Sequence, residues 1–124
     1  MPNPSHIMVI DDNEDILYML QAMLKIKGYK VSIKMNMDNL EQAISGLSPD
    51  IILMDMLLSG ADGREVCKRL KTNPAFAAIP IIMISAHPEA KIKCLEAGAN
   101  FFLEKPFEMN EIFEVVSNAL ATVE

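Results

Sequence analysis

Several features that mark other protein classes are absent from this sequence. No apolar run approaches the roughly 18 residues that a membrane-spanning helix requires. The first ten residues, MPNPSHIMVI, have no basic region followed by a long apolar segment, so no secretory signal is expected. The 17 acidic residues outnumber the 11 basic ones, and the net charge of −6 argues against direct nucleic-acid binding.

Cysteine is scarce and tryptophan is missing. Cys67 and Cys94 do not have the spacing of metal ligands, so both are expected to be free thiols in a cytoplasmic protein. The ten methionines contrast with this scarcity. Five of them lie in apolar periodic segments and are expected to fill the core. They are Met8, Met19, Met23, Met54 and Met83.

What the sequence contains is a regular alternation of two kinds of segment within 124 residues, a length that suits one domain spanning 1–124. Short β-rich segments lie at 6–10, 30–34, 50–54, 79–85 and 100–104. Helical patterns lie between and after them, at 14–27, 38–44, 63–72, 88–97 and 108–122. Asp38 is a candidate cap for the second helix, and Ile92 and Leu95 are expected to face inward from the fourth. The alternation predicts an α/β fold with a parallel sheet covered by helices on both faces.

Polar residues follow four of the five predicted strands. Asp11 and Asp12 come after the first, Asp55 after the third, Ser85 after the fourth and Lys105 after the fifth. Because ligand sites in such folds lie beyond the carboxyl ends of the strands, these side chains are expected to meet at one edge of the sheet.

The residue types at that edge indicate phosphoryl-transfer chemistry. Neighbouring carboxylates repel each other, so the three acids call for a cation, and hard oxygen ligands suit Mg²⁺. Lys105 offers a positive charge to a phosphoryl oxygen, and Ser85 offers a hydroxyl. A carboxylate is a known phosphoryl acceptor, and Asp55 is the acid that ends an otherwise apolar strand.

The segments VIDDNEDI, PDIILMDMLLSGADGREVCKRL, IPIIMISA and LEAGANFFLEKPF follow one another along the chain. In these segments, and in their order over the whole chain, the sequence resembles the receiver domain of two-component response regulators. The resemblance implies a flavodoxin-like (βα)5 three-layer sandwich with strand order 2-1-3-4-5.

The resemblance also assigns roles to the residues of the metal and phosphoryl site. Asp55 is implied to be the phosphoacceptor. Asp12 is implied to ligate Mg²⁺ directly, Asp11 largely through water, and Leu57 through its backbone carbonyl. Lys105 is implied to pair with a phosphoryl oxygen and to precede a cis peptide bond.

Two further positions are implied to act as the switch. Ser85 corresponds to the hydroxyl that contacts the phosphoryl group and couples it to the fourth helix. Phe102 corresponds to the aromatic switch position, although it lacks the hydroxyl of the more common tyrosine. Ser59 stands where the family commonly has proline, which predicts a less rigid loop after Asp55.

The function implied is a signalling switch rather than a conventional enzyme, one that promotes only its own phosphorylation and slow dephosphorylation. The phosphoryl donor would be a sensor histidine kinase or a histidine phosphotransfer protein. The face of the fourth helix, fifth strand and fifth helix would regulate a partner or an attached output, or form a homodimer. Direct nucleic-acid binding and membrane association are not expected, and the location is expected to be cytoplasmic.

Three other functions fit the sequence less well. A Mg²⁺-dependent aspartyl-phosphate phosphohydrolase is the main alternative, but such enzymes tend to carry a second acid two residues after the nucleophile, where this sequence has Leu57. A flavin-binding protein would need a Ser/Thr/Gly-rich phosphate loop, and DDNEDI would instead repel a phosphate. A receiver-like domain that works unphosphorylated is disfavoured by the full acidic set.

Overall fold

A five-stranded parallel sheet organises the computed structural model, which describes residues 4–58 and 60–123. Its strands are β1 (His6–Ile10), β2 (Lys30–Lys34), β3 (Ile51–Asp55), β4 (Ile81–Ser85) and β5 (Phe101–Glu104). They pair in the order β2-β1-β3-β4-β5, and every neighbouring pair is parallel. The predicted flavodoxin-like strand order is therefore confirmed. Ser59 lies outside the described residues, so the expectation of a less rigid loop after Asp55 stays a prediction.

In the part of the chain that the structure describes, five α-helices connect or follow the strands. They are α1 (Glu14–Ile26), α2 (Leu40–Leu47), α3 (Gly63–Lys71), α4 (Lys91–Glu96) and α5 (Met109–Ala121). A short hairpin, Leu57–Leu58 paired with Ala61–Asp62, separates β3 from α3, and a 3₁₀ turn at Pro88–Ala90 precedes α4. Over 4–58 and 60–123, no helix is both long enough and apolar enough to cross a bilayer.

Alternate residues of the strands face two separate hydrophobic layers. Ile7 and Val9 of β1 pack in the layer that contains α1 and α5, whereas Met8 and Ile10 pack in the layer of α2, α3 and α4. Burial on both faces explains why β1, β3 and β4 are nearly continuous apolar runs rather than alternating ones. The helices supply the other side of each layer with buried residues, among them Leu20, Leu24, Val66, Cys67, Leu70, Ile112 and Val116.

The inward face of α4 was predicted wrongly. Ile92 is 67% exposed and Leu95 is 40% exposed, whereas Cys94 and Ala90 are buried. Ala90 and Cys94 are four residues apart and therefore lie on one side of the helical segment. The Sγ atom of Cys94 contacts the Sδ atom of Met56 at 3.5 Å, so the small residues face the sheet and the large apolar ones face solvent.

Two smaller expectations also need correction. Asp38 does not cap α2, because Asn39 is the residue that precedes the helix and the backbone N–H of Asp38 donates to Asn36 Oδ1. Asn39 has a φ of 54°, a left-handed conformation that asparagine tolerates better than most residues. Met19 is exposed rather than buried, because the inward stripe of α1 runs through Leu17, Leu20 and Leu24.

Candidate functional site

The carboxyl edge of the sheet brings together the three acids that follow β1 and β3. Asp11 and Asp12 come directly after β1, and Asp55 is the last residue of β3. One carboxylate oxygen of each residue lies within 4.8 Å of the corresponding oxygens of the other two. The predicted convergence of these side chains is confirmed, and Asp12 is the most exposed of them.

Lys105 follows β5 and contacts two of these acids. Its Nζ atom donates to Asp11 Oδ2 at 3.3 Å and to Asp55 Oδ1 at 3.4 Å. Its backbone N–H donates to the carbonyl oxygen of Ser85 at 2.8 Å, which ties the residue to the end of β4. The Lys105–Pro106 peptide bond is cis, as the resemblance implied. The four charged side chains therefore form one group drawn from three strand ends.

The electrostatics of the group are unfavourable for the ionised form of Asp55. The pKa of Asp55 is raised, first by its burial and then by the nearby carboxylate of Asp11, while Lys105 acts in the opposite direction. Two like charges about 4 Å apart repel by roughly 4 kcal/mol at an effective dielectric of about 20. A single lysine does not fully offset three acids, so the group still attracts positive charge.

The residues present fit a small, hard cation. Three carboxylates offer only oxygen donors, and their spacing lets a single ion contact all three. Mg²⁺ prefers such ligands and keeps several positions for water or phosphate oxygens. Asp11, Asp12 and Asp55 are the residues that would hold it.

The backbone after β1 fixes the orientation of Asp11. Its Oδ1 atom accepts the backbone N–H of Asn13 at 2.9 Å, while Oδ2 faces Lys105. Asn13 in turn caps α1, because its side chain accepts the N–H of Ile16. Since Asn13 takes the capping role, neither of the two aspartates serves as the N-cap of this helix.

A cleft of about 160 Å³ opens beside Asp55. Its lining residues are Asp55, Leu57, Ser85, Ala86, His87 and Lys105. Ser85 is buried, and its hydroxyl oxygen accepts the backbone N–H of His87 at 3.0 Å. Leu57 is 51% exposed and begins the hairpin after β3. The predicted residues Ser85 and Leu57 therefore lie at the same site as Asp55 and Lys105.

Phe102 lies near the site but not in it. It sits beside Met83 in the pairing of β5 with β4, two residues before the Ser85–Glu104 pair. Its half-buried ring packs against the layer of α2, α3 and α4.

Comparison with known proteins agrees with this geometry. The family model described as response regulator receiver domain matches residues 7–117. This chain belongs to that family. Receiver domains accept phosphoryl groups from histidine kinases and act as phosphorylation-dependent switches, not as conventional enzymes. The acidic group at the carboxyl edge is where this family usually binds Mg²⁺.

The curated proteins that this chain matches are longer than the chain itself. Protein PetR of Rhodobacter capsulatus is 32% identical over 123 residues, covering 98% of this chain and 51% of PetR. The phosphate regulon transcriptional regulatory protein PhoB of Pseudomonas aeruginosa is 36% identical, covering 86% of this chain and 47% of PhoB. The chain thus spans about half the length of these relatives.

Solved structures agree with the fold. The receiver domain of NtrX from Brucella abortus has a TM-score of 0.86 and 29% identity, covering 94% of this chain and 98% of that one. The receiver domain of a signal transduction histidine kinase from Syntrophus aciditrophicus has a TM-score of 0.88 and 27% identity, covering 97% and 92%. The chemotaxis protein CheY4 of Vibrio cholerae is 23% identical with a TM-score of 0.86, covering 94% and 99%, a likeness in fold alone.

Proposed function

We propose that this receiver domain is switched by phosphorylation of Asp55 in a Mg²⁺-dependent reaction. The observation that supports the proposal is the grouping of the Asp11, Asp12 and Asp55 carboxylates with the Lys105 ammonium. Asp11, Asp12, Asp55 and the backbone carbonyl of Leu57 would hold the metal, which neutralises charge on the phosphoryl oxygens when bound. The donor would be a sensor histidine kinase or a histidine phosphotransfer protein.

The reaction transfers a PO₃ unit from a phosphohistidine to Asp55. A carboxylate oxygen of Asp55 attacks phosphorus, the P–N bond breaks, and its electron pair returns to the imidazole of the donor. The product carries about 1.5 to 2 negative charges in place of one carboxylate charge. Lys105 already contacts Asp55 Oδ1, so it needs little movement to pair with a phosphoryl oxygen. Ser85, in the same cleft, would donate its hydroxyl hydrogen to another.

The switch would be read at the face formed by α4, β5 and α5. Ser85 links the phosphoryl group to the segment before α4, since its hydroxyl accepts the backbone N–H of His87. The exposed side chains of Ile92 and Leu95 on α4 provide apolar contact area for an output partner or for a second copy of the chain. Phe102 would change rotamer as these segments shift, by packing alone. We place the domain in the cytoplasm and expect no direct contact with nucleic acid or membrane.

A phosphohydrolase using the same aspartyl-phosphate is the alternative. It would need a general acid beside the leaving group. The residue two positions after Asp55 is Leu57, an exposed apolar side chain at the cleft. The lack of an acid at this position disfavours rapid hydrolytic turnover of the aspartyl-phosphate.

The proposal is tested by weighing the intact protein after incubation with acetyl phosphate and Mg²⁺. The wild-type protein is expected to gain the mass of one PO₃ unit, and Asp55→Ala is expected to gain none. Asp15→Ala removes an exposed aspartate from the first turn of α1 and serves as the matched control, with wild-type labelling expected. Labelling of Asp55→Ala, or none of the wild-type protein, would refute the assignment.

A further inference from the structure

Gly63 differs from the other glycines of the chain in why it must be glycine. The backbones of Gly28, Gly60 and Gly98 have positive φ angles, which favour glycine directly. Gly63 has no such angle, so its backbone would accept any ordinary residue. What it lacks is space. Gly46 has neither a positive φ nor a close neighbour, and therefore offers a natural comparison.

The space beside Gly63 is filled by the backbone of the phosphoacceptor strand. A Cβ atom added to Gly63 would lie 2.8 Å from the carbonyl oxygen of Asp55, 2.9 Å from that of Met56 and 3.1 Å from the Met56 Cα. The Gly63 backbone N–H also donates to the Met56 carbonyl oxygen at 2.6 Å. All three crowded atoms belong to the main chain, so no flexible side chain could move aside to relieve the contact.

The local sequence would otherwise favour a different residue at this position. Gly63 is the first residue of α3, and Asp62 caps the helix by accepting the backbone N–H of Arg64 at 2.9 Å. Glycine is a poor helix former compared with alanine. Its presence here therefore reflects the contact with Asp55 and Met56, not the needs of the helix.

We propose that Gly63 is a positioning residue that sets the backbone path from Asp55 to Leu57. This inference rests on the proposed function, because it concerns the residues that would hold Mg²⁺. Gly63 supports the strand end from the side of α3, while the pairing of Leu57 with Asp62 holds the same segment from the hairpin. A larger residue at position 63 would push the Asp55 and Met56 carbonyls away. That displacement would carry the Asp55 carboxylate and the Leu57 carbonyl out of their relative positions.

The experiment compares Gly63→Ala with two controls by calorimetric titration of Mg²⁺ and by thermal unfolding with EDTA. Gly46→Ala makes the same chemical change at an open helical position. Val116→Ala creates a cavity in the layer that contains α1 and α5, and it shows how a general loss of stability affects Mg²⁺ binding. Gly63→Ala is expected to raise the dissociation constant for Mg²⁺ about tenfold or more, the range seen when groups that orient metal ligands are altered. Both controls are expected to keep the wild-type constant.

Each outcome decides between the two hypotheses. Wild-type Mg²⁺ affinity in Gly63→Ala, or an equal loss in Val116→Ala, overturns the positioning role while the proposed function stands. Absence of Mg²⁺ binding by the wild-type protein overturns both. If Gly63→Ala does not fold alone, it is measured in the Gly46→Ala background with trimethylamine N-oxide, which favours compact states. Failure to fold there as well means that Gly63 is required for folding, and it overturns the positioning role.

Discussion

Replacing Lys105 with methionine is expected to destabilise the metal-free protein by about 3 kcal/mol, the typical effect of removing one partner from a buried ion pair. Methionine keeps most of the side-chain volume but leaves Asp11 and Asp55 without the ammonium that contacts both. The Asp11 side chain is only 1% exposed, so water cannot reach its carboxylate to solvate it once the ammonium is gone. The free energy of unfolding would be measured by urea denaturation in EDTA.

Added Mg²⁺ should reverse much of the loss, because a cation bound among the acids takes over the neutralising charge. A ligand present at 100 times its dissociation constant stabilises the folded state by about 2.7 kcal/mol. Lys68→Met, at an exposed position of α3, is the matched control and should change stability by less than about 0.5 kcal/mol. Equal stability of Lys105→Met and Lys68→Met in EDTA would contradict the electrostatic description of the site.

Asp55→Asn is expected to abolish phosphorylation and yet to stabilise the metal-free protein by about 1 kcal/mol near neutral pH. Asparagine has nearly the same shape but carries no charge, so the burial cost and the repulsion from Asp11 disappear. These two effects are the leading causes of the raised pKa of Asp55. A variant that gains stability as it loses function would show that the site is held together at a cost in stability.

The difference in stability between Asp55→Asn and the wild-type protein should depend on pH, because folding raises the pKa of Asp55. A carboxyl whose pKa is raised by folding binds its proton more tightly in the folded state, so it favours folding below its ordinary pKa of 3.8. That contribution is lost as the pH rises through the higher value of the folded state. The advantage of Asp55→Asn should therefore be small near about pH 3.5 and grow toward about pH 7 in EDTA. A constant difference across this range would mean that Asp55 is not strained by its neighbours.

The sequence was sufficient for the sheet and for the charged residues at its edge, for a physical reason. Strands buried on both faces must be apolar throughout, so a charge such as Asp55 can stand only where the strand ends. The same rule places Asp11, Asp12 and Lys105 at the ends of other parallel strands. Their convergence on one edge then follows from the parallel sheet that the alternation of strands and helices predicts, whereas the strand order was implied by the family resemblance.

The parts that the sequence did not predict depend on three-dimensional fit. Apolar size suggested that Ile92 and Leu95 face inward from α4, but the space over Met56 admits Cys94 instead. In the sequence, Gly63 is simply the first residue of the predicted helix 63–72. Only the positions of the Asp55 and Met56 carbonyl oxygens show that a side chain there has no room.

Calorimetric titration of Mg²⁺ into Asp12→Asn is the most direct test of whether Asp11, Asp12 and Asp55 form one divalent-cation site. Asp12 is the most exposed of the three acids, so its replacement should disturb the fold least. The wild-type protein and the exposed control Asp15→Asn should bind one ion with equal affinity, and Asp12→Asn should bind at least about tenfold more weakly. Unchanged affinity in Asp12→Asn would contradict the site.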